Sequence, residues 1–162
     1  MSGASLQALQ RFFETSPAAR RATRPLARGA RVALALPEGP AHFTMASGQP
    51  RVAEGPAEDP DFALELPAIA VERITSIESD DVGEFGVAFF QLVLERDPAM
   101  KVRVRVQAPT SHLLSHGYLG VLALGGVKVT WWLLRNGIRN PRAAIDRLRG
   151  VRPRETPAGE PR

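Results

Sequence analysis

His112 and His116 stand four residues apart, so on a helix their imidazoles would share a face, a spacing that lets two histidines ligate one metal ion. A metal site needs further ligands. No Asp or Glu lies near either histidine in sequence, and the glutamate that sits between two such histidines in a zinc hydrolase is absent. The pair therefore reads as polar cap and surface residues, and no metal is expected. Asp80, Asp81 and Glu84 form the tightest acidic cluster. Paired carboxylates can act as acid and base when their surroundings drive their pKa values apart. These three stand where an apolar helical run begins, and there negative charge stabilises a helix N-terminus without any catalytic role. Ser111 and Ser115 neighbour the histidines but lack the strand–turn–helix setting of an activated serine. Gly117, Gly120, Gly125 and Gly126 suggest a phosphate loop. No Lys-Ser or Lys-Thr follows them, and the run Leu119-Gly120-Val121-Leu122-Ala123-Leu124 is too apolar for one. Close backbone packing, or room left for a ligand, accounts better for these glycines. The chain has no cysteine, which removes disulfides, thiolate metal sites and cysteine nucleophiles together. No catalytic residue and no cofactor is expected, and the chain reads as a non-enzyme.

The elements that would hold these residues follow from periodicity. Ser5 to Thr15 reads as a short helix with Leu6, Leu9, Phe12 and Phe13 on one side. Ser16 to Gly29 is a basic, Pro-containing connector. Arg31 to Leu36 and His42 to Ala46 are strand candidates around the turn Pro37-Glu38-Gly39-Pro40, with His42 a half-exposed strand residue. Ser47-Gly48-Gln49-Pro50 is the next turn, and Ala53 to Pro60 an acidic loop. Asp61 to Leu66 alternates, with Phe62, Leu64 and Leu66 facing one way. Pro67 suits the first turn of a helix reaching about Glu78. Asp81, with Glu84 three residues on, caps the next helix. Val82, Phe85, Phe89 and Val93 form one stripe of that helix, and Phe90, Leu92 and Leu94 widen it until burial nearly all round is expected. Met100 to Gln107 is a strand with Met100, Val102, Val104 and Val106 inward and Lys101, Arg103, Arg105 and Gln107 outward. A helix follows Pro109 through Leu113 and Leu114 and breaks at Gly117. The apolar run resumes from Tyr118 to Leu134. Pro141 to Arg149 reads as a last amphipathic helix, and residues 151–162 as a disordered tail.

The chain is 162 residues with 44% apolar and 23% charged residues, the composition of a globular domain. Its net charge of +4 conceals a segregation: +5 over residues 1–52, −10 over 53–97 and +9 over 98–162. The acidic middle should attract the basic ends, so the high pI overstates free basic surface. The row Lys101, Arg103 and Arg105 could face a nucleic acid. The aromatic residues lie in apolar contexts rather than between those bases, which sets nucleic acid aside. The start of the chain lacks the charged lead and long apolar run of a secretory signal, although its arginines resemble those of a transit segment. A cytoplasmic location is expected. Tyr118 to Leu134 approaches the length of a membrane span, but Lys128 within it makes a buried or interfacial segment the better reading. Trp131 and Trp132, followed by Arg135, Arg139 and Arg142, could rest at a lipid headgroup boundary as a peripheral contact with an anionic membrane.

This order of elements resembles that of one known family. Phe43-Thr44-Met45 with the Ser47-Gly48-Gln49 turn, then Pro60-Asp61-Phe62-Ala63-Leu64-Glu65-Leu66, resembles the strand–turn–strand opening of sterol carrier protein type 2 domains, where an Asp commonly precedes the alternating strand. Phe85-Gly86-Val87, Lys101-Val102-Arg103-Val104-Arg105-Val106 and Leu113-Leu114 are similar to that family's later helix, strand and terminal helix. The resemblance covers about residues 30–116. It departs from the family at Gln107-Ala108-Pro109, where a Gly-Asp step is usual, and in the Gly-rich extension with Trp131-Trp132. It implies an α+β fold: a curved, mostly antiparallel sheet of about five strands covered by helices, with an apolar tunnel between them. It also implies non-catalytic binding or transfer of a sterol, fatty acyl chain or phospholipid. The expected organisation is an N-terminal helix and basic linker at 1–29, a lipid-binding-like domain at 30–150 and the tail. Val82, Phe85, Phe89, Phe90 and Val93 would line one wall of the cavity, and Leu119, Leu122 and Leu124 would approach from the other side. The protein would be a monomer or homodimer. The alternative is a protein–protein interaction or oligomerisation module that uses the apolar Gly-rich segment.

Overall fold

The computed structural model describes residues 3–139, excepting the side chain of Leu122. The expected helix from Pro141 to Arg149, Arg142 and the tail from Val151 lie outside the described residues. The described elements are, in order, α1 (Ala4–Thr15), α2 (Pro17–Thr23), β1 (Arg31–Leu36), β2 (Gly39–Ala46), β3 (Gln49–Glu54), β4 (Phe62–Glu65), α3 (Ala68–Thr75), α4 (Val82–Val93), β5 (Arg103–Val106), α5 (Thr110–Ser115), α6 (Tyr118–Leu124) and α7 (Gly126–Arg135). The fold is α+β, with a five-stranded, mostly antiparallel open sheet in the order β3-β2-β1-β4-β5.

Alternation builds the sheet. Val32, Leu34 and Leu36 of β1, Ala41, Phe43 and Met45 of β2, and Val52 of β3 point into one core with Leu6, Leu9 and Phe12 of α1 and Ala70, Val71 and Ile74 of α3. Arg51, Glu65, Arg103 and Arg105 point to the opposite, solvated face. The β2–β3 hairpin turns at Ser47 and Gly48, with φ of 52° and 75°. Two successive positive φ values give the turn whose twist matches antiparallel strands. That hairpin contains the strand that periodicity missed. Pro50 reads as a turn residue, but β3 is an edge strand, where a missing N–H costs no ladder bond.

The single parallel pair, β1 with β4, joins the two halves of the sheet through Val32↔Phe62 and Leu34↔Leu64. β5 closes the far edge with Leu64↔Val104 and Phe62↔Val106. On the solvated face Arg103 reaches Glu65 at 3.4 Å; both ends are about half exposed, so the pair contributes little.

The connector after α1 is itself helical. Ser16 Oγ accepts from the Ala19 N–H, Pro17 occupies the first turn, and Ala18, Ala19 and Ala22 are buried. Ser-Pro is a helix start signal as well as a break. The N-terminus of α1 is capped from a distance: the Ser5 N–H donates to Glu38 Oε1 at 2.8 Å, and this bond holds the Glu38 carboxyl below its ordinary range.

α4 corrects an expectation. Only Gly83, Leu92 and Val93 are buried, while the six consecutive residues Phe85 to Phe90 are all half-buried. Its principal neighbours are α7, α2 and α3 rather than a strand.

Candidate functional site

Two arrangements are the candidates for a functional site: a half-buried apolar surface, and a buried carboxylate at its end. The first begins on α4. Asp81 Oδ1 caps this helix by accepting from the Gly83 and Glu84 N–H groups at 2.7 and 3.3 Å. Glu84 does not complete a capping box; its carboxylate takes the Ser79 hydroxyl instead. From this anchored start Phe85 stacks on Phe12 of α1, ring centroids 5.8 Å apart. Phe89 lies against the core and meets Phe90 edge-on. On the sheet, Phe62, Leu64 and Val104 of β4 and β5 pack against the same core and are likewise only partly covered.

α7 holds α4 from the other side. Lys128 Nζ donates to Asp81 Oδ2 at 2.6 Å and lies 3.4 Å from Glu84 Oε1. The Lys128 bond keeps the Asp81 carboxyl below its usual range. The Ser79 hydroxyl, then Lys128, do the same for Glu84, and the Asp81 carboxylate raises Lys128. Next to this clamp the helices approach so closely that a Cβ on Gly86 would sit 2.8 Å from Val129 Cγ2. Phe90 stacks on Trp132 at 6.2 Å.

The expected site residues are therefore distributed. Phe85 and Phe89 turn towards the core, Val93 is buried, and Phe90 turns towards α7. Val82 lies with Leu124, Val127, Lys128 and Arg21 around an open cleft of about 590 Å³. Leu119 and Leu124 are 42% and 46% exposed, so much of each side chain meets solvent. Leu122 lies on α6. The two tryptophans separate: Trp132 packs against Phe90 and also borders a cleft of about 480 Å³ with Arg73, Ile77 and Arg96, whereas Trp131 is 62% exposed. Arg135 and Arg139 are exposed.

The second arrangement was not visible as a motif. Asp61, 2% exposed, lies at the start of β4. Its Oδ2 accepts from the Arg31 N–H at 3.2 Å, His116 Nδ1 at 2.7 Å and the Tyr118 hydroxyl at 2.9 Å. Its backbone also joins in, the N–H donating to Arg31 O and the carbonyl accepting from the Gln107 and Ala108 N–H groups. One residue thus ties β1, the end of β5 and the α5–α6 junction. His116 is correspondingly not the surface residue that its sequence neighbours suggest, while His112 is exposed. The Ala27 N–H donates to the His116 carbonyl, and Gly117, at φ 85°, lets the chain pass against Pro25.

An Asp–His pair resembles part of a hydrolytic triad. The hydroxyl bonded here is a phenol, and burial, followed by the Asp61 carboxylate, pushes the Tyr118 pKa far above its ordinary range. That shift opposes use as a base or nucleophile. The phenol ring instead meets Phe62 edge-on at 4.7 Å, placing the polar knot at one end of the apolar surface. Among the described residues, no three His, Asp or Glu side chains converge as metal ligands would. No described helix is long and apolar enough to cross a membrane. Comparison with family models, curated proteins and solved structures found no match.

Proposed function

We propose that the protein binds an apolar small molecule (a sterol, fatty acyl chain or phospholipid) without covalent chemistry, between α4 and the β4–β5 half of the sheet. The observation that carries this reading is the incomplete cover of apolar groups inside the fold. Phe85 and Phe89 on the helix, and Phe62, Leu64 and Val104 on the strands, are all partly accessible although none points to the solvated sheet face. Large apolar surfaces left open within a fold are what an apolar guest covers, at roughly 25 cal/mol per Å² removed from water. The position of α4 supports the reading, since α7, α2 and α3 are its principal neighbours and Phe85 and Phe89 stay only partly covered. The resemblance to sterol carrier protein type 2 domains supports the same class of ligand.

Native mass spectrometry of protein purified from its own cells, followed by solvent extraction, tests the reading. A stoichiometric lipid is expected. Phe89→Asp should abolish lipid retention, with circular dichroism reporting whether the variant folds, and Val104→Asn serves as a second probe from the opposite wall. A folded variant of either kind that still takes up lipid would sink the proposal. The alternative, an interaction module built on the apolar segment, expects a stable oligomer and no extractable ligand.

A further inference from the structure

The outward face of α7 is apolar where a surface helix ordinarily carries charge. Val127 is 85% exposed, Trp131 62% and Leu134 45%, at the i, i+4, i+7 spacing of one helical face. Leu124, 46% exposed, extends the stripe onto α6. The other face is already committed to α4 through Lys128, Val129 and Trp132. Asp80 and Asp81 border the Leu124–Val127 end of the stripe, whereas α7 itself and the chain after it bring only bases to the Trp131–Leu134 end. From Pro98 to Arg139 the sequence contains no Asp or Glu. Arg135 and Arg139 are exposed at the end of the stripe, and Arg142, Arg147, Arg149, Arg152 and Arg154 follow in sequence with only Asp146 among them.

From this combination we propose that α7 docks on an anionic lipid bilayer, lying in the interfacial plane with Val127, Trp131 and Leu134 in the acyl boundary and Arg135 and Arg139 on headgroup phosphates. An apolar stripe bearing a Trp and bordered by arginines has the composition of an interfacial helix, and adjoining basic residues add attraction to an anionic leaflet. The inference rests on the carrier reading for its purpose, because a carrier of insoluble molecules must meet the surface from which it loads. Its test reads vesicle contact rather than lipid content, so either idea can fail alone.

The chain has two tryptophans, so Trp132→Phe leaves Trp131 as the sole reporter while keeping a ring against Phe90. The full-length protein is floated with vesicles of phosphatidylcholine alone and of phosphatidylcholine with phosphatidylglycerol. Flotation is expected only with the anionic vesicles, reversed by salt, with a blue shift of Trp131 emission. Replacing Arg135 and Arg139 together by Gln should weaken binding about 25-fold at low ionic strength, at about fivefold per Arg. Trp131→Ser should reduce vesicle binding and leave extractable lipid unchanged. Absence of flotation with retained lipid overturns the docking surface and leaves the carrier reading standing. Trp131 emission already blue and shielded from quencher in lipid-free protein overturns it as well. In a dimer that result assigns the stripe to a second copy, and in a monomer to residues 141–149 of the same chain.

Discussion

Removing the Asp61 carboxylate should be among the most damaging single changes to this fold. Asp61→Ala leaves three donors without their acceptor: the Arg31 N–H, His116 Nδ1 and the Tyr118 hydroxyl. Asp61 is 2% exposed, so its carboxylate meets little water. The His116 side chain is 24% exposed, so its N–H can recover water, which leaves the part-buried Arg31 N–H and Tyr118 hydroxyl to bear the loss. An orphaned buried donor costs about 1–3 kcal/mol, which puts the expected loss near 4 kcal/mol. Against a total stability of roughly 5–15 kcal/mol, that brings the protein close to unfolding. In urea, with a slope of about 2 kcal/mol per M, the midpoint should fall by about 2 M. A double-mutant cycle isolates the knot from general disruption. Tyr118→Phe alone should cost about 2 kcal/mol, since the lost bond is to a charged acceptor, but close to nothing once Asp61 is Ala. Equal costs in the two backgrounds, or a midpoint shift below about 0.5 M for Asp61→Ala, would refute the assignment of Asp61 as the tie between sheet and C-terminal helices.

Other outcomes follow from single contacts. The chain has one tyrosine, so ultraviolet titration reads Tyr118 directly, and no phenolate should form across the ordinary phenol range while the protein stays folded. Because the folded pKa lies above the unfolded one, this contribution to stability is whole below the ordinary phenol pKa and drains away as pH climbs towards the folded value; denaturation midpoints measured from neutral to alkaline pH should show that fall. Gly117→Ala combines a left-handed φ of 85° with an added Cβ that collides with the Pro25 carbonyl, and a loss above about 2 kcal/mol in thermal or urea unfolding is expected. The Asp81–Lys128–Glu84 clamp depends on two carboxyls whose pKa values are lowered, so its support is complete above the ordinary carboxylate range and is lost as pH falls through those lowered values. In a Trp131→Phe background, Trp132 emission should redden over that fall as α7 loosens from Phe90, and Lys128→Met should redden it already at neutral pH.

Local chemistry was legible where one stretch of chain contains the whole signal. Alternation located β1, β2, β4 and β5, and the Asp81 cap started α4, because strand and helix periods are written within a few residues. β3 escaped because Pro50 is a turn residue by type and a harmless edge-strand residue only by position. Ser16 and Pro17 open α2, where the run of Arg after them had suggested a connector.

The candidate site divides along the same line. The chain shows without any tertiary contact that α4 is rich in phenylalanine and that adjacent Trp131 and Trp132 must diverge by about 100° on a helix. Packing between α7 and α4 sets which tryptophan is covered. Lys128 finds its acids on α4, and that rotation of α7 turns Trp132 inward and Trp131 to solvent. Tertiary packing also leaves α4 half-covered where composition alone implies burial, since exposure depends on which neighbours a helix meets. Asp61 and His116 carry no mutual signal across 55 positions. Only the parallel pairing of β1 with β4, and the passage of the chain past Pro25 at Gly117, bring the carboxylate, imidazole and phenol to one point. A hydrogen bond between residues far apart in the chain depends on every turn between them, so no local pattern can contain it.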